Sequence, residues 1–126
     1  MSEFQEKFEA YGGDYPATME RFMGNEALYL RLLDLLFRDE SLSRLRTALE
    51  TGNIKSAFEA AHTLKGAVGN MGLTPLYQAV CAIVEPLRAG EQRRDYPALY
   101  EAIQTEFQRV DLLRGQLKGG GENDGR

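Results

Sequence analysis

The chain of 126 residues has one histidine, one cysteine and no tryptophan. A single Cys excludes an internal disulfide and any paired-thiol redox or metal motif. A single His excludes every zinc site built on two or more imidazoles, and a Cys–His dyad would need the only copy of each residue. Positive charge is also short. Against 19 Asp and Glu stand 15 Lys and Arg, a net charge of −4, so the composition lacks the basic excess typical of a nucleic-acid binder. The longest apolar stretch, Leu28 to Phe37, is interrupted by Arg31 and Asp34 and is too short to span a bilayer. The opening residues Met1-Ser2-Glu3-Phe4-Gln5-Glu6 are acidic and polar, unlike a secretory leader. With no glycine-rich nucleotide loop either, the chain is not expected to phosphorylate itself from ATP. These absences predict a cytoplasmic protein with no metal site of its own, no membrane segment and no nucleic-acid partner. What is present, 43% hydrophobic and 27% charged residues over this length, suits one globular domain.

No segment alternates with period two, and no repeat recurs, so the expected class is all-α. Glycines and prolines cut the chain into helical lengths. Ser2 and Gln5 have capping-box spacing before a short helix that stops at Gly12-Gly13. Asp14-Tyr15-Pro16 restarts the chain toward Gly24, and Asn25 caps a helix to about Arg38 that is apolar around much of its girth. Ser41 is the expected cap of a helix ending near Gly52. Asn53 caps a run to about Asn70, and Thr74 is the expected cap, with Pro75 at the first helical position, of another helix toward Gly90. The last helix starts at Asp95-Tyr96-Pro97 and carries the stripe Leu99, Ile103, Phe107, Val110 and Leu117. Short connections favour antiparallel neighbours. The expectation is therefore an all-α bundle of antiparallel neighbours. It spans residues 1–118, with a flexible Gly-rich tail over 119–126.

The lone imidazole, His62, lies in the Ile54–Asn70 run. There Ile54, Ala57, Phe58, Ala61, Leu64 and Val68 share one helical face. At about 100° per residue, His62 points roughly 120° from the centre of that face, on a solvent flank. Gly66 and Gly69 fall within about 40° of the same direction, and Lys65 borders the His. Each glycine inside a helix costs about 1 kcal/mol against Ala. Missing side chains beside an exposed imidazole leave room for another macromolecule to approach. Gly72, just before the Thr74-Pro75 restart, reads instead as a turn residue. Cys81, within Ala79-Val80-Cys81-Ala82-Ile83, reads as a small buried hydrophobe.

The run Ala61-His62-Thr63-Leu64-Lys65-Gly66-Ala67-Val68-Gly69-Asn70-Met71-Gly72-Leu73 resembles the signature of histidine-containing phosphotransfer (HPt) domains. Arg21 to Glu26 and Leu28 to Leu33 look like the opening region of bacterial members. Leu76, Ala79, Ala82 and the Leu87-Arg88-Ala89-Gly90 close are similar too, so the likeness covers roughly residues 14–117. The resemblance implies an antiparallel four-helix bundle with one or two short accessory N-terminal helices, and a phosphocarrier rather than an autonomous enzyme. Its His takes a phosphoryl group from the aspartyl phosphate of one receiver domain and passes it to another. It further implies His62 as phosphoacceptor, Lys65 beside the phosphoryl group, and Gly66 as the gap that admits it. Gly69, Phe22 and Met23 are expected to join the partner-binding face. The implied partners are response-regulator receiver domains, a hybrid histidine kinase, or both, with Mg²⁺ carried by the receiver and no cofactor held by this chain. A neutral, exposed imidazole offers a nucleophilic nitrogen.

The pattern departs from the family at one position. Many members carry Glu or Gln twenty-two residues after the His, where it hydrogen-bonds the ring; here that residue is Val84. Glu85 is turned about 100° away from it, and Pro86 is expected to distort the helix. Val84 supports an alternative, a non-catalytic helical adaptor or kinase inhibitor on the same scaffold.

Overall fold

Side-chain caps written into the sequence start four of the helices. A computed structural model describes residues 2–120, and these form seven α-helices and no strand. Ser2 accepts from the Gln5 N–H at 3.0 Å to open α1 (Glu3–Tyr11), and Asp14 accepts from Ala17 N at 3.1 Å to open α2 (Tyr15–Arg21). Asn25 accepts from Leu28 N at 2.9 Å for α3 (Glu26–Arg38), and Asn53 from Ser56 N at 3.0 Å for α5 (Ile54–Asn70). Each such cap contributes about 1 kcal/mol.

Three boundaries differ from expectation. Ser41 is not a cap but the buried first residue of α4 (Ser41–Glu50), and its N–H is satisfied by the Asp39 carboxylate at 2.6 Å. Thr74 is the first residue of α6 (Thr74–Arg88), with Leu73 at the cap position. The Leu76 N–H there donates to the Tyr11 hydroxyl at 3.1 Å, so an orphan donor of α6 is satisfied from α1. The last helix, α7 (Tyr96–Gly120), continues through Gly119 and Gly120, which were expected in the tail; residues 121–126 lie outside the described residues. α6 runs through Pro86 to Arg88, close to its expected end toward Gly90. The carbonyl that loses its donor is that of Ala82, an exposed residue, so solvent can replace the missing bond.

Cross-helix contacts define the layout. On α7, Tyr100 lies by Leu42 of α4, Phe107 edge-on to Phe37 of α3, and Arg114 and Lys118 on Asp34 of α3. Thus α3 and α4, separated only by Asp39 and Glu40, form one column antiparallel to α7. The hydroxyl of Tyr29, fully buried on α3, donates to the Met71 carbonyl at 2.7 Å, past the far end of α5. Between α5 and α6, the pairs Phe58–Arg88, Lys65–Glu85 and Gly69–Tyr77 run in opposite order, as antiparallel neighbours must. The result is a four-column bundle with α1 and α2 packed outside it.

The core holds Leu33, Leu45, Leu64, Val80, Ile83 and Ile103, each essentially without exposure. α3 is less deeply packed than its apolar girth suggests: only Tyr29, Leu33 and Leu36 are buried, and Leu35 is half exposed. It packs mainly on α7 and the N-terminal aromatics, which leaves an outer face in water. Among the described residues, no helix is long and apolar enough to cross a membrane.

Candidate functional site

Burial of Ala57, Ala61, Leu64 and Val68 fixes the rotation of α5 and so decides what faces outward. His62 is exposed on the flank, one and two turns before Gly66 and Gly69. The three line an open hollow of about 380 Å³ with Lys65, Arg21, Asn70 and Tyr77. A Cβ built on Gly66 meets no atom within 4 Å, so the space there is open. Gly69 differs: its Cβ would stand 3.0 Å from two carbons of the Tyr77 ring, so this glycine also lets α6 pack closely. Gly72 is a turn residue at φ 69°.

Lys65 is half-buried, and its Nζ lies 4.0 Å from a Glu85 carboxylate oxygen. Glu85 also accepts from Arg88 Nε at 3.3 Å. At 4.0 Å, with Glu85 mostly exposed and also engaged by Arg88, the pair is weak, so Lys65 is not committed to Glu85 and can serve an anion beside His62. Among the described residues no hydrogen bond reaches the imidazole. Val84 is fully buried in the core and offers the ring no polar contact. The ring instead stacks on Phe58, one turn earlier, with centroids 5.4 Å apart and planes 29° from parallel.

Two expected partner-face residues part company. Phe22 is only 4% exposed and packs edge-on to Tyr29 at 5.1 Å, so it belongs to the core and not to a docking surface. Its neighbour Met23 is 86% exposed, at the turn between α2 and α3, with φ 53°. That conformation is uncommon for a bulky residue. The Gly24 N–H helps hold the turn by donating to the Met19 carbonyl at 2.8 Å. Met23 does not line the His62 hollow.

Arg21 and Tyr77 enter the hollow from other helices, which a wheel drawn for α5 alone does not show. Arg21 reaches from α2, its guanidinium donating to the carbonyls of Asn70 at 3.2 Å and Gly69 at 3.5 Å. It brings a second positive charge to the rim. Tyr77 comes from α6, and the Cys81 side chain one turn on is the chief cause raising its phenol pKa. Cys81 is half-buried rather than buried. Among the described residues, no group of three or more His, Cys, Asp and Glu side chains gathers at metal-binding distance.

One protein family matches the chain that carries this exposed imidazole and four-column helical bundle. Its model, described as Hpt domain, covers residues 32–112, more than half of the chain, with His62, Lys65, Gly66, Gly69 and Val84 inside the match and Phe22 and Met23 outside it. Searches of curated proteins and of solved structures returned no match. On the strength of the family match, the chain belongs to the Hpt domain family.

Proposed function

We propose that this Hpt domain is a phosphorelay intermediate in which His62 takes a phosphoryl group from a receiver-domain aspartyl phosphate and hands it to the aspartate of another receiver. The observation that carries this reading is the exposed His62 ring, with Lys65 at its side and open space over Gly66. In the forward step an imidazole nitrogen attacks phosphorus, the N–P bond forms, and the P–O bond to the aspartyl carboxylate breaks. The carboxylate leaves as the anion it is at neutral pH. The phosphoimidazole keeps its charged oxygens in water, within reach of Lys65. Such transfer depends on positioning and on charge stabilisation, and the divalent cation that completes it is assigned to the receiver.

Transient docking suits an interface of modest size. Lys65, Gly66 and Gly69 form its centre, Arg21 adds positive charge at the rim, and Met23 offers an apolar contact beyond the hollow. The test is incubation with phosphorylated receivers, followed by assay for a base-stable, acid-labile phosphoryl group, with His62→Gln as control. Label on the native chain and none on the variant is the expected result. Binding of several competent receivers without label would overturn the carrier reading. It would favour the adaptor reading, which the apolar, buried Val84 supports.

A further inference from the structure

The fold leaves the His62 ring without a hydrogen-bonding residue at Val84, yet a flexible exposed imidazole would lose part of its productive orientation to rotamer freedom. We propose that Phe58 is the positioning residue for His62, holding the imidazole by stacking where a hydrogen bond is absent. This proposal rests on the reading of His62 as phosphoacceptor.

Three contacts carry it. The Phe58 and His62 rings are stacked at 5.4 Å and 29°. The Arg88 guanidinium carbon lies over the same Phe58 ring, 5.1 Å from its centroid, so α6 grips the platform by a cation–π contact. Glu85 in turn accepts from Arg88 Nε at 3.3 Å and restrains that guanidinium. Helix geometry makes the stack possible, because residues four apart lie one above the other on the same side of a helix. Phe58 is half-buried, so its ring is fixed at one edge by the bundle and leaves its neighbour in solvent.

Stacking and hydrogen bonding restrain a ring differently. A hydrogen-bond acceptor selects one tautomer as well as one orientation. A stack fixes the plane and leaves both nitrogens free to exchange protons with water. The proposal therefore commits to a ring that is held in plane with no imposed tautomer. Phe58 does not touch the reacting atoms, so its effect falls on the rate of transfer and not on receiver affinity.

The lone histidine makes the test clean, since protein labelled with ¹⁵N and ¹³C at histidine shows one ring system. In the native chain the ring protons are expected upfield of an exposed imidazole by the Phe58 ring current. Phe58→Leu, which keeps an apolar side chain, should move them toward the free value. It should also slow transfer from a phosphorylated receiver roughly two- to tenfold at unchanged receiver affinity. Phe58→Tyr should retain both the shift and the rate, which guards against a merely structural effect of the Leu variant. Arg88→Gln should move both readouts in the direction of Phe58→Leu. The proposal falls if Phe58→Leu leaves the ring resonances in place, or if Phe58→Leu and Phe58→Tyr transfer equally slowly. A native chain that accepts no phosphoryl group from any receiver overturns the carrier reading instead, while the ring resonances still judge the stack.

Discussion

Replacing Gly66 by alanine is expected to make the protein more stable and a poorer phosphotransfer partner. Gly66 lies inside α5, between Ile54 and Asn70, where a glycine costs about 0.8–1.0 kcal/mol relative to Ala. An added Cβ meets nothing within 4 Å, so no packing penalty offsets the gain. For a domain of this size that gain raises Tm by about 3–5 °C. Gly69→Ala is the internal comparison. Its Cβ would lie 3.0 Å from the Tyr77 ring, so Tyr77 must shift and a smaller gain or a loss follows. The functional half concerns access. A methyl group one turn from His62, on its side of the helix, stands where the proposed carrier role has a receiver bring its aspartyl phosphate. Gly66→Ala should therefore slow transfer, and Gly66→Leu should slow it further while the helix stays intact. Thermal melts by circular dichroism give the first quantity, and transfer from a phosphorylated receiver the second. The reasoning is refuted if Gly66→Ala lowers Tm, which would mean the fold itself needs the glycine. It is also refuted if Gly66→Leu transfers at the native rate, which would mean no partner comes near.

Lys65→Gln removes one charge-assisted contact to the phosphoryl group, worth roughly 1.5 kcal/mol, and should slow transfer about tenfold; an unchanged rate in rapid-quench kinetics would leave Lys65 an ordinary surface lysine. Tyr29→Phe breaks the buried 2.7 Å bond to the Met71 carbonyl and should cost about 1–2 kcal/mol in urea unfolding, without altering the His62 ring resonances. Asp34 gives the pH dependence. Its carboxyl is held below the ordinary value of 3.8, first by the hydrogen bond from Lys118 and then by that from Arg114. A carboxyl depressed in the folded state adds stability above its unfolded pKa and loses it as the pH falls through the folded value. Asp34→Asn should therefore lower Tm at pH 7, with the gap to the native protein closing as the pH drops below 3.8. A gap that stays constant with pH would refute the assignment.

The pattern of what sequence reveals here follows from which contacts are local. Caps at Ser2, Asp14, Asn25 and Asn53 are local hydrogen bonds between residues three apart; sequence reasoning named Ser2, Asn25 and Asn53 and placed a restart, though no cap, at Asp14. The flank carrying His62, Lys65 and Gly66 was equally legible, because one helix's own periodicity sets it. Phe58 shows where a wheel stops helping. It shares the apolar face by angle, yet it sits at the edge of that face, only half-buried, with its ring against His62. Phe22 and Met23 fail in the opposite sense, since adjacent residues in a turn can face opposite ways, one into the core and one into water. Arg21, Glu85 and Arg88 act on α5 from α2 and α6, and only helix packing brings them there. A motif on α5 can thus mark the candidate phosphoacceptor, while the charged groups around it come largely from neighbouring helices. With Val84 buried in the core, the contacts that reach the ring from beside it are the Phe58 stack and, behind Phe58, the Arg88 guanidinium, and the proposed positioning role rests on these.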